Sequence, residues 1–474
     1  MILYNPIYFD MKKTVLFLLS ALLIIVSDAA YAQKNGGNAK TDGGIDNSIM
    51  ERLKSEYKFT SEQQAIHNAL AVRPISELSI NSQKSVAGDT HFSHVVEKIG
   101  KTTDQYTSGR CWLFTTLNVY RAKIIKKYNW SDFEFSHGYP FFYDQLEKSN
   151  LFLQAIIDTR ELPMEDRTVE WLFKRPIYDG GQFSAAADLL HKYGVVPAEA
   201  MPETYQGNNT EDLREILRYK LREYGLELRR MAEKGGRNLL ESLKERKVEM
   251  LSDIYRILAE CLGVPPTEFE WKGRKYTPKS FFDEYIGENM KEDYIMIMND
   301  PTREYGKVFE IEYYRHLYDG RNWRYINLPM ETIKQIAINS IKDNCAMYFS
   351  VDSPQYRNSK IGTCDFENFN PGALFNISFN MDKADRIRTF TSRSVHAMSL
   401  IGVDLDADGN AKKWLAENSF GAGYGFAGNI IMTDEWFCEF MFRLAANKKY
   451  IPAEILEKYE KTKAEILPPW DPMY

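Results

Sequence analysis

The hydrophobic pattern of this chain changes period partway along, and that change limits the fold more than any other feature. Up to Leu262, apolar residues recur at helical spacing, as at Leu213, Leu217 and Leu221, or Leu251, Ile254 and Leu258. In the last third, Ala346 to Val351, Ala397 to Val403, Lys413 to Glu417 and Gly428 to Met432 are short runs bounded by turn residues, the pattern of strands. Helices first and strands later predict an α+β protein, arranged as two lobes with a cleft between them. A chain of 474 residues that is 44% hydrophobic has ample material for such a core.

The first 32 residues read as an address rather than as part of that core. Met11-Lys12-Lys13 opens a basic segment, Val15 to Val26 is apolar or small throughout, and Ala30-Tyr31-Ala32 fits a small-x-small cleavage site. About 12 apolar residues are too few to span a bilayer. The pattern predicts an exported protein, periplasmic or secreted, with no stable membrane anchor after cleavage. Residues 33–60 follow as a flexible linker, its Gly- and Asn-rich part running from Gln33 to Ser48. The remaining 61–474 form one catalytic-sized domain. It carries a charged helical insertion at about 205–300, turning at Gly235-Gly236, and a tail at about 455–474.

Charge and cysteine content exclude some classes. The net charge of −6 gives no support to nucleic-acid binding. Five cysteines, at 111, 261, 345, 364 and 438, are too few and odd in number for a disulfide framework. None lies in a CxxC pair or at zinc spacing with histidine, and no cofactor is implied.

Cys111 stands apart from the other four. It lies where the loop Gln105 to Arg110 meets a helical pattern continued by Leu113, Leu117 and Ile124. A helix start offers unpaired N–H groups and the positive end of the macrodipole, both of which favour thiolate over thiol. Six residues earlier, the Gln105 carboxamide could join the Cys111 N–H in holding an oxyanion. Near the other end, His396 opens one strand and Asn418 closes the next, so a hairpin would bring them together. An Asn carboxamide there can fix the imidazole and turn its other nitrogen to a nucleophile. Between those strands, Asp404-Leu405-Asp406-Ala407-Asp408-Gly409 copies the opening of a calcium loop. Leu415 occupies the place of the closing Glu, and the flanks are strands, so this reads as a polar hairpin turn and no metal site is expected.

Gln105, Cys111-Trp112, His396 and Asn418-Ser419 occur in the order and with the neighbours of papain-like cysteine peptidases. The chain resembles their bleomycin hydrolase/aminopeptidase C branch more closely, in which the motif before the nucleophile reads as Ser108-Gly109-Arg110-Cys111-Trp112 does here. Phe133-Glu134-Phe135-Ser136, Asp179-Gly180-Gly181-Gln182, Lys192-Tyr193-Gly194-Val195 and Leu467-Pro468-Pro469-Trp470-Asp471-Pro472-Met473 are similar to the same branch. The resemblance runs from about Asp89 to the end of the chain. It accounts for the separation of Cys111 from His396, which is long for an ordinary papain-like enzyme, through the branch's inserted subdomain.

The resemblance implies a papain-like two-lobed fold with a helical insertion and a tail reaching the cleft. It implies a broad aminopeptidase acting on peptide substrates through a thioester. Cys111 would be the nucleophile and His396 the base and then the acid, with Asn418 orienting the imidazole and Gln105 stabilising the oxyanion. Gly180, Gly181 and the terminal Tyr474 would contact substrate. A homo-hexamer with inward-facing sites is implied as well. Three features depart from the branch: Phe420 stands where it usually has Trp, the chain carries an export signal, and it stops at Tyr474, a few residues early. The last predicts release of dipeptides or longer pieces, or endopeptidase cleavage, beside or instead of single residues. The rival expectation is a nucleic-acid-binding or scaffold ring with little turnover.

Overall fold

The computed structural model describes residues 43–84 and 89–474. The expected signal segment 1–32, and the linker as far as residue 42, lie outside the described residues. The chain divides into two units, one up to Arg73 and one from Pro74 to Tyr474. In the first, the expected linker is corrected from residue 47 onward. Asn47–Glu56 is a helix, because Asp46 caps it by accepting from the Ile49 N–H, and none of its residues is buried. A second exposed helix, Ser61–Leu70, starts at a capping box formed by Thr60 and Gln63.

The second unit is α+β, with its helices concentrated first. Cys111–Tyr128, Gly138–Asp158 and Phe183–Tyr193 pack together and bury nearly continuous apolar surfaces. The charged insertion forms helices Glu211–Lys234 and Leu239–Leu262, joined at Gly235-Gly236, both with positive φ. Leu213, Leu217 and Leu221 are the buried stripe of the first, packed toward Gly138–Asp158. The insertion ends earlier than the expected boundary near 300. Tyr294–Met298 is a strand of the main sheet, buried at all five positions.

Among the described residues, twelve strands form that sheet. Its centre is made of β1 (Tyr294–Met298), β2 (Met347–Val351), β3 (His396–Leu405), β4 (Ala411–Glu417), β5 (Asn429–Thr433) and β6 (Met441–Asn447), in the spatial order β1-β6-β2-β3-β4-β5. The four runs read as strands in the sequence are β2 to β5. Strand β3 pairs antiparallel with β2, His396 opposite Val351, and with β4, Ser399 opposite Glu417. This register puts His396 and the residues after Glu417 at one end of the sheet. The Asp404–Gly409 segment is a hairpin turn: Asp406 accepts from the Asp408 and Asn410 N–H groups, and Asp404 pairs with Lys412.

Among the described residues three apolar clusters result, one among the helices, one between the sheet and helices Met330–Lys342 and Asp434–Phe440, and a small one around Val119, Ile401 and Leu415. The Cys111–Tyr128 helix packs on β3. The tail returns to this junction. Glu465–Leu467 pairs with Val308–Ile311, Arg303 holds Asp471, and Arg443 donates to the Met473 carbonyl.

Candidate active site

The loop before Cys111 is shaped by the residues of its own motif. Tyr106 has φ of +50°, a left-handed conformation unfavourable for a bulky residue, and it turns the chain sharply after Gln105. The Ser108 hydroxyl donates to the Gln105 carbonyl at 2.6 Å and accepts from Arg110 Nε at 3.0 Å. Arg110 is fully buried, paired with Glu203 at 2.8 Å and lying over the Phe114 ring. Gly109 is required by a close approach, since a Cβ there would sit 2.7 Å from the Asp179 Cβ. Cys111 is then the first residue of its helix, and the Arg110 cap supplies no side-chain acceptor to the free N–H groups.

Six of the residues expected from sequence meet around one cavity of about 340 Å³, lined among others by Gln105, Cys111, Gly180, Gly181, His396 and Tyr474. Cys111, His396 and Ala397 line it together, so the thiol lies against the strand that carries the imidazole, and the N–H groups of Ala397, Trp112 and Cys111 itself favour the thiolate. On the far side of the imidazole, His396 Nε2 lies 2.7 Å from Asn418 Oδ1, and the Ser419 N–H donates to that same oxygen at 2.9 Å. A backbone N–H can only donate, so the atom it meets is the carboxamide oxygen, and Nε2 must carry the proton. The Nδ1 lone pair is left free. Phe420 stacks on the imidazole at 4.9 Å, covering the His396–Asn418 bond.

The same reasoning orients Gln105. The Ser108 carbonyl can only accept, so the atom 2.6 Å from it is Nε2, while Oε1 takes the Ser419 hydroxyl at 2.6 Å. One Nε2 hydrogen remains beside the cavity. Asn418-Ser419 thus fixes both polar side chains, and the Gln105 N–H donates to the Ser419 carbonyl at 2.9 Å.

The two glycines behave differently. Gly181 lines the cavity, and a Cβ there would lie 2.4 Å from His316 and 2.6 Å from Trp112, so its missing side chain is also required by packing. At Gly180 a Cβ would meet only Tyr178, at 3.8 Å. Gly180 has room on its open side as well. Sequence reading missed what holds this segment. The buried Lys148 ammonium donates to the carbonyls of Tyr178 at 2.7 Å and Gly180 at 2.8 Å, and to Asp144 at 2.8 Å. His316 Nδ1 meets the other Asp144 oxygen, at 2.5 Å. These groups come from three distant segments, and only the helical spacing of Asp144 and Lys148 was visible in the sequence.

Electrostatics correct one expectation. Burial pushes the Cys111 thiol above its ordinary value, although the three N–H groups pull it back, and burial lowers His396 to about 4. Each group alone favours its neutral form. A lowered thiol pKa therefore cannot come from the helix start by itself, and needs the charge of a protonated His396 beside it.

The family model described as the Peptidase C1-like family matches residues 44–474, reaching further toward the N-terminus than the resemblance from Asp89. Aminopeptidase C of Lactobacillus delbrueckii subsp. lactis is 37% identical over 421 residues, which is 86% of this chain and 92% of that protein. Bleomycin hydrolase of Homo sapiens is 34% identical over 446 residues, 90% of this chain and 96% of that protein. A crystal structure of PepW from Lactobacillus rhamnosis superposes with a TM-score of 0.86 at 34% identity, covering 91% of this chain and 99% of that one.

Proposed function

The chain belongs to the Peptidase C1-like family, as a cysteine peptidase of the aminopeptidase C and bleomycin hydrolase branch with the papain-like fold, and from that premise we propose how its residues divide the work. Cys111 is the nucleophile. Its proton passes to the free Nδ1 of His396, and the sulfur attacks the carbonyl carbon of the scissile peptide bond. The oxyanion that forms is held by the spare Nε2 hydrogen of Gln105 and the Cys111 backbone N–H. His396, now an imidazolium, gives its proton to the leaving amine, and a thioester remains. Water, deprotonated by His396, then attacks the thioester and releases the new carboxylate and the thiol. Asn418 holds the imidazole in one tautomer throughout, and Gly180 and Tyr474 line the peptide's path.

The observation that carries this reading is the double use of Asn418 Oδ1, by the His396 ring and by the Ser419 N–H, which leaves Nδ1 as a base in the cavity that holds Cys111. Product analysis on one short peptide, with its amino end free or blocked, tests it. The free peptide should shorten stepwise from its N-terminus while the blocked one survives. If neither is cleaved, the assignment fails. The reading also includes a homo-hexamer, supported by the resemblance and testable by light scattering, and export, supported by the Met11–Ala32 pattern and testable by cell fractionation.

A further inference from the structure

Four tyrosines line the cavity at Cys111, and their hydroxyls are not equivalent. Those of Tyr178 and Tyr474 meet each other at 3.0 Å, and that of Tyr314 accepts from Arg443 at 2.5 Å. The fourth, Tyr348, has no hydrogen-bond partner among the described residues. Open solvent does not supply one, for the residue is only 2% exposed and its ring packs edge-on to Phe183 at 5.8 Å. Strand alternation explains where it faces. In β2, Met347, Phe349 and Val351 belong to the core between the sheet and helices Met330–Lys342 and Asp434–Phe440, so Tyr348 and Ser350 turn together to the cavity side. Ser350 Oγ lies 2.7 Å from Ser394 Oγ, which lines the same cavity. One of these two hydroxyls donates to the other, and the second keeps its hydrogen to spare. Burial, and the charge of Cys111, hold the Tyr348 phenol well above its ordinary range, so it stays protonated and can donate as well as accept. A buried hydroxyl without a partner is costly, and the cost is recovered where a ligand supplies the partner.

We infer that Tyr348 is a specificity-determining residue: its hydroxyl, with the Ser350–Ser394 pair two residues along the strand, hydrogen-bonds a substrate side chain on the N-terminal side of the scissile bond, and so selects amide and hydroxyl side chains over hydrocarbons of the same shape. The inference rests on the peptidase reading, in which the cavity between Cys111 and Tyr474 receives the substrate's N-terminal residues. A hydrocarbon side chain there shuts the phenol O–H away from water with nothing to bond. A hydroxyl or carboxamide in its place completes the pair, and a site built for such a bond rejects the analogue that lacks it.

The test compares uncharged side chains of matched shape, Thr against Val and Asn against Leu, at the first and at the second residue of fluorogenic aminoacyl and dipeptidyl derivatives. Both members of a pair carry the same charge, so the arginines and the tail that also line the cavity bear on them alike. Wild-type kcat/KM should favour Thr over Val, and Asn over Leu, by roughly tenfold at one of the two positions. In Tyr348→Phe both ratios should fall toward one, with the Val and Leu values rising, because no hydroxyl is then buried against hydrocarbon. A merely structural role would lower all four values together. Calorimetric binding of Thr- and Val-containing tripeptides to Cys111→Ala reads the same preference without turnover. Equal values within both pairs in the wild type, or a uniform loss in Tyr348→Phe, would overturn the inference and leave the peptidase assignment standing. Selective binding of the Thr peptide with no cleavage of any substrate by the wild type would do the reverse.

Discussion

Asn418 gives one oxygen to two donors, the His396 Nε2–H at 2.7 Å and the Ser419 N–H at 2.9 Å. The second bond makes the first informative. It fixes which end of the carboxamide faces the ring, hence which imidazole nitrogen carries the proton, hence that Nδ1 is the base. A tautomer is thereby decided by a backbone group one residue along the chain.

Replacing that oxygen should therefore impair chemistry more than binding. In Asn418→Ala the ring is free to rotate and to change tautomer, so kcat should fall by roughly 10–100-fold, part of the usual contribution of general acid–base catalysis, with KM nearly unchanged. Asn418→Gln should not restore it, since one more methylene moves the oxygen off both donors. Steady-state kinetics on a free-ended peptide distinguish these outcomes from a binding defect, which would raise KM at constant kcat.

The opposed shifts of Cys111 and His396 fix a pH signature. Burial puts His396 at about 4 and the thiol above its ordinary value, so between those limits the pair holds one proton. The fraction with that proton on His396, and hence thiolate on Cys111, is then independent of pH. Iodoacetamide alkylation of the wild type should rise through about pH 4 to a plateau and climb again only above the ordinary thiol value. In His396→Ala the plateau should vanish and leave only the alkaline rise. A plateau that survived the substitution would mean that the thiolate is stabilised by something other than the imidazole.

The tail should act as a stop in the cleft. Tyr474 stacks on Tyr314 at 4.3 Å, meets the Tyr178 hydroxyl at 3.0 Å and lines the cavity that contains Cys111. Removing Pro472 to Tyr474 joins this cavity to the neighbouring one. Cleavage of amino-blocked peptides should then rise by about tenfold relative to free-ended ones, read by chromatography of the products, an estimate of the cost of excluding one residue from a pocket. An unchanged ratio would show that the tail does not set the register.

The local part of this site was legible in the sequence. Cys111 at a loop–helix seam, and His396 and Asn418 on successive strand runs, involve neighbours in sequence or two strands joined by one short turn. What was not legible depends on contacts between distant segments. Lys148 reaches the Tyr178 and Gly180 carbonyls only because the Gly138–Asp158 helix packs beneath them. Arg443 lies in a strand that gives no sign of the cavity it lines. The linker reached too far because Asp46 reads as one more polar residue until it is seen capping a helix. Gly180 and Gly181 look equivalent in sequence, yet Trp112 and His316 fill the space beside only one of them.

The central claim is that Cys111 is the attacking group, and the most direct measurement is the turnover of Cys111→Ala on a free-ended peptide, with folding checked by circular dichroism. The thiol lies at a helix start and against the strand of Ala397, in a cavity that also holds the one base the structure aligns there. Loss of the nucleophile should reduce kcat by at least three orders of magnitude, to the level left by binding and the oxyanion donors. A folded variant that retained a tenth of the wild-type rate would contradict the account, and another nucleophile would have to be sought.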